Sequence, residues 1–157
     1  MTISVEQLTG QGLVSETLFG RLVGRVAQEE ACTTVMARRI VDQALAYLAT
    51  CAKVTESLAP SATVDIGWHT FILHTREYAE FCDRIAGRFI HHVPHDEDDD
   101  SSGTPLRDVM RRTVTAISAA GFAVDHELWF TPSAQCADCS QCKNGCSDDP
   151  PPPPASN

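Results

Sequence analysis

The sequence is short of several things, and each shortage removes a class of protein. It has no apolar run near the roughly 18–20 residues that a bilayer crossing requires. Its opening stretch, MTISVEQLTGQG, lacks the basic n-region and apolar h-region of a secretory signal, so a cytoplasmic setting is expected. Basic residues are scarce: 12 Lys and Arg stand against 21 Asp and Glu, a formal net charge of −9. Such a surface repels phosphate, which argues against nucleic acid or an anionic membrane as a partner. There is no nucleophile–base signature and no glycine-rich phosphate loop. Strict apolar–polar alternation, the mark of a half-buried strand, is missing too, so the fold class expected is all-α.

What is present suits a helical domain. Hydrophobic residues make up 43% of 157 positions, enough for one real core. Ser15 reads as an N-cap, followed by Leu18, Phe19, Leu22, Val23 and Val26 at helical spacing, so a first helix should run from Glu16 to about Glu30. Gly20 and Gly24 either weaken that helix or let a neighbour approach closely. Thr33 or Thr34 starts a second, with Met36, Ile40, Val41, Ala44, Leu45 and Leu48 as its stripe. A third is expected from about Asp65 to Ala86, stopped by Gly87. A fourth follows, capped by Thr104, opened by Pro105 and ended by Gly121, with Leu106, Val109, Met110, Thr113, Ile117 and Ala120 facing inward. The segment DHELWF supplies one more turn. The expected architecture is therefore a small bundle of about four helices over residues 1–130. Residues 131–157 form a separate Cys- and Pro-rich tail, disordered or stapled by metal, that ends in the stiff run Pro150 to Pro154.

Seven cysteines in a reducing compartment read as thiols or metal ligands rather than disulfides. Four of them, Cys136, Cys139, Cys142 and Cys146, form a C-x2-C-x2-C-x3-C array. Such pairs aim sulfurs inward at a soft cation, and zinc is the cofactor expected. The spacing also matches one run of a bacterial ferredoxin, but no second run exists and Ser147 replaces the usual proline, which disfavours an iron–sulfur cluster. Cys32 and Cys51 lie alone on apolar helices and read as core residues. The acidic run Asp96 to Asp100 lacks the ligand spacing of a calcium loop and reads as solvated.

Histidines give the other candidates. On one unbroken third helix, His69 and His74 are about 140° apart, so they cannot share an ion. His69 has Asp65 at i−4, either a helix-capping carboxylate that orients the ring or part of a metal or catalytic pair. Eighteen helical residues from His69 to Gly87 span about 27 Å, while four residues beyond Gly87 reach back about 14 Å. A joint site of His69 with the later histidines thus requires a broken helix. Cys82 lies nearer, and with His91, His92 and His95 it forms a second candidate N/S zinc site. His126, between Asp125 and Glu127, reads as a surface histidine rather than an acid or base. Leu73 and Phe81 fall off the main face of the third helix and suggest a second contact surface.

The run VDIGWHTFILHTREYAEFCDRIAGRFIHHVP, with Asp65, Trp68, His69, Leu73, Tyr78, Cys82, Gly87, His91, His92 and Pro94, resembles a bacterial family related to the glycine-rich domain-containing proteins of plants. The resemblance implies a helical fold and no particular reaction. It leaves Asp65, Trp68, His69 and Tyr78 as a motif of unknown role. The function expected is a non-enzymatic metal-binding or interaction module with its ion in the four-cysteine tail. A protein partner would be reached through the tail or the third helix. The alternative is a metal-dependent enzyme that uses the Asp, His and Cys residues of the helical domain.

Overall fold

The computed structural model describes residues 6–93 and 105–130. They form six α-helices after a single 3-10 turn at Gln11–Leu13: α1 Glu16–Glu29, α2 Thr34–Lys53, α3 Ala62–Leu73, α4 Thr75–Ala86, α5 Leu106–Ala119 and α6 His126–Trp129. Among the described residues the only β pairing is an isolated parallel bridge between Leu8 and Phe122. The all-α expectation stands. The tail, with its four cysteines, lies outside the described residues, as do His95, the run Asp96 to Asp100 and Thr104.

The first two helices start where the sequence places them. The Ser15 hydroxyl accepts from the Leu18 amide and the Thr33 hydroxyl from the Met36 amide. Each such cap contributes about 1 kcal/mol by pairing an amide that the helix leaves free. The long α2 is the centre of the fold. Ile40, Val41, Ala44, Leu45, Tyr47 and Leu48 are all buried, and α1, α3, α4 and α5 pack around it. Of the stripe expected on α5, Thr113 and Ile117 are buried, but Leu106 at the helix start is 57% exposed. Cys32 and Cys51 are half-buried at the core margin rather than within it.

The third helix of the sequence reading is two helices. It begins earlier than expected, because Ser61 is the cap and its hydroxyl accepts from the Val64 amide. It then breaks at His74, whose backbone leaves the helical region at φ −89° and ψ 67°. The His74 amide donates to the Phe71 carbonyl instead of to Thr70. The carbonyl of Thr70, deprived of that partner, accepts instead from Nδ1–H of the His74 ring at 3.0 Å. The imidazole therefore caps the end of α3, while the His74 carbonyl accepts from the Tyr78 amide to open α4. Gly87, left-handed at φ 64°, stops α4 as expected.

Side chains from α2 hold the C-terminal segment in place. The amide of buried Gln43 donates to the Ala123 carbonyl, and its oxygen accepts from the Asp125 amide and the Trp129 indole. Arg39 adds two hydrogen bonds to Asp125 and one to Glu127. The hydroxyl of Ser61 donates to the Leu128 carbonyl, tying α6 to the start of α3.

Gly67 lets α3 lie close against α2. A Cβ there would sit 2.7 Å from the Ala44 Cβ and 3.0 Å from the Ile40 carbonyl oxygen. Gly20 and Gly24 have nothing within 4 Å of such an atom, so on α1 glycine only weakens the helix. Gly67→Ala is expected to lower stability by about 1–3 kcal/mol through overpacking. Gly20→Ala and Gly24→Ala should each raise it by roughly 0.5–1 kcal/mol. Urea unfolding followed by circular dichroism distinguishes the two signs.

Candidate metal centre

The break at His74 redirects the chain. Because α4 leaves α3 at a new angle, the segment after Gly87 returns along α3, and His92 reaches Asp65. Nε2–H of His92 donates to Asp65 Oδ1 at 2.7 Å, and Nδ1–H of His69 donates to Asp65 Oδ2 at 3.0 Å. The two imidazole centroids are 4.2 Å apart. One ligand atom from each of Asp65, His69 and His92 lies within 4.8 Å of the others. Tetrahedral ligation at zinc distances requires about 3.3 Å between ligand atoms, so closing the set takes small side-chain rotations.

The three residues differ in freedom. The side chain of His92 is 11% exposed, that of Asp65 26% and that of His69 60%. His92 is the anchored member: its ring lies 4.4 Å from that of Trp68, in an edge-on contact. Trp68 is in turn packed on Tyr47 at 5.4 Å and donates its indole N–H to the Tyr78 hydroxyl at 2.9 Å. The Tyr78 hydroxyl donates to the Ile90 carbonyl at 2.5 Å, two residues before His92. Burial holds the phenols of Tyr47 and Tyr78 far above their ordinary range, so both stay protonated and able to donate.

The structure sorts the sequence candidates clearly. His69 and His74 have separate tasks, one turned to Asp65 and the other capping α3. Asp65 orients His69 as expected but is not the cap; Ser61 has that role, which leaves both carboxylate oxygens for the imidazoles. The motif Asp65, Trp68, His69 and Tyr78 is one connected unit. Cys82 is 1% exposed within the core and is not among the convergent ligands, and neither is exposed His91, whose ring lies tilted against Phe89 at 4.9 Å. His126 is exposed and stacks on Phe130. Of the two residues read as a second surface, Phe81 is buried and Leu73 is 59% exposed. One unbroken rod would separate His92 from His69; the break at His74 removes that separation. The signal that the rod is two helices was the change from α3, apolar nearly all round, to α4, apolar on one face only.

The profile of the UCP032817-like family matches residues 14–116. The chain belongs to that family, and the match takes in Asp65, His69, Tyr78 and His92. No curated protein and no solved structure matches it.

Burial also sets the reactivity of a thiol on α2. Burial pushes Cys51 up to about 11 from an ordinary 9.0, against smaller lowering effects from Tyr47 and Arg88. Less of it is thiolate in the folded protein, so alkylation of Cys51 by iodoacetamide at pH 8 should be at least about tenfold slower than in urea-unfolded protein. Peptide mass spectrometry over a time course measures the ratio.

Proposed function

We propose that the helical domain binds one late first-row divalent ion, with zinc as the reference case, through Asp65, His69 and His92. The observation that carries this reading is the convergence of two imidazoles and one carboxylate, drawn from positions 27 residues apart, on one face of α3. Imidazole favours zinc, copper, nickel and iron, whereas magnesium and calcium prefer all-oxygen sets. Three protein ligands do not fill a coordination sphere. Structural zinc sites close with four, and catalytic ones keep a position for water or substrate. The exposure of His69 supports an open side facing solvent. An ion held there would act as a Lewis acid on bound water or on a ligating oxygen of a substrate. On this reading the protein is a metal-binding module whose centre is of the open, chemistry-competent kind.

The four-thiol array of the tail is proposed as a second, independent metal site on the strength of its spacing alone. The two are separable in the full-length chain. Elemental analysis of protein purified without an affinity tag is expected to show one equivalent retained when Cys136, Cys139, Cys142 and Cys146 are all changed to serine. Adding His69→Ala or His92→Ala should remove it, with a loss of affinity beyond the 10–100-fold typical of outer-shell changes. A four-serine variant that holds no ion after incubation with zinc would refute the helical-domain centre.

A further inference from the structure

We infer that Tyr78 is a positioning residue for the metal centre, acting on His92 through the Ile90 carbonyl without touching the ion. The inference rests on the three-ligand reading above and adds to it the group that determines whether the third ligand is in place.

Among the three ligands, His92 alone comes from outside a helix. The positions of Asp65 and His69 are fixed by one turn of α3, since residues four apart lie on one face. The backbone around His92 has no secondary structure to hold it, and Val93 beside it is 78% exposed. What fixes this segment is the bond from the Tyr78 hydroxyl to the Ile90 carbonyl. Ile90 itself is buried, and the Tyr78 side chain is wholly so. The same hydroxyl accepts the indole N–H of Trp68, the residue whose ring backs the His92 imidazole. A single oxygen thus ties α4, the return segment and the ring behind the ligand to one point. Phe89 closes the other side of Tyr78 at 5.2 Å, leaving the phenol little room to turn away.

The geometry also explains why the group must be a phenol at this position. Along a straight helix Trp68 and Tyr78 would be separated by about 15 Å. The break at His74 brings them within hydrogen-bond reach, and a hydroxyl at the end of a rigid ring can meet both the indole and the carbonyl. Phenylalanine fills the same space but leaves the Ile90 carbonyl and the Trp68 N–H without their partner.

Cobalt(II) titration of the full-length chain, carried out in the background with the four tail cysteines changed to serine, tests the inference. Cobalt reports coordination through its visible absorption. Tyr78→Phe is expected to weaken cobalt binding about tenfold or more, in the range of outer-shell changes at known metal sites. Its spectrum should move toward that of His92→Ala, while the circular dichroism stays that of a folded helical protein. A merely structural role would lower the unfolding temperature and leave the spectrum as it was. Phe89→Leu, at a half-exposed position packed on the phenol ring, frees the phenol to turn and should lose severalfold in affinity; it decides the matter if Tyr78→Phe does not fold. Unchanged cobalt affinity and spectrum in the folded variant overturn the role of Tyr78 alone. No cobalt band in the parent protein, or one that survives His92→Ala, overturns the metal centre and this inference with it.

Discussion

The site depends on the chain turning at His74. A helix carried through that residue would send Tyr78, Gly87 and His92 steadily away from Asp65, by about 1.5 Å per residue. The turn is made without proline or glycine. It is stabilised locally, by an imidazole that takes the carbonyl its own backbone amide has abandoned. Once the turn is made, Trp68 and Tyr78 share a hydrogen bond, the segment after Gly87 runs back along α3, and two histidines separated in sequence meet one carboxylate.

A turn of this kind is useful only if α3 itself is held still, and α2 does that. The absence of a side chain at Gly67 brings the two backbones close, and Tyr47 of α2 lies against Trp68 from below. Gln43 and Arg39, also on α2, hold the segment that places α6 over the start of α3. Among the described residues no buried side-chain nitrogen or oxygen lacks a partner. A packed core with its polar groups satisfied does not readily rearrange. The result is a rigid floor beneath Asp65 and His69, with solvent above.

Much of this fold was legible in the sequence. The starts of α1 and α2 followed from Ser15 and Thr33, and their buried faces from stripes at helical spacing, because those signals are local and the structure uses them locally. The break was not legible in the same way. Wound at 100° per residue, Trp68, Phe71, Ile72, Thr75 and Tyr78 make one continuous face, and nothing in that stretch is a helix breaker. The preference for two helices comes from tertiary contact: the near-uniform apolarity of α3 suits a helix enclosed on several sides, while α4 buries one face only. Distance arithmetic did identify the requirement, that His69 and the later histidines meet only across a broken helix, and the structure meets it with His92 rather than with its neighbour His91. For Cys82 the same arithmetic misled. Separation along the axis placed it near His92, but its thiol points into the core, and separation alone carries no information about direction.

The carboxylate–imidazole cluster is a poor source of stability. A carboxylate–imidazole contact as exposed as Asp65 with His69 contributes at most roughly 0–1 kcal/mol. The cluster joins the return segment to α3 through a single bond, from His92 to Asp65. The segment is held as well by buried Ile90, by the phenol that grips its carbonyl, and by the indole against the His92 ring. A cation would take the two ring nitrogens that now donate to the carboxylate, their protons passing to the opposite ring nitrogens or to water, and the segment would keep its other holds. Residues placed by the fold rather than by one another would keep their geometry if an ion bound, which would reduce the ordering that binding otherwise imposes. This separation between what holds the residues and what the residues hold distinguishes the cluster from an ordinary surface ion pair.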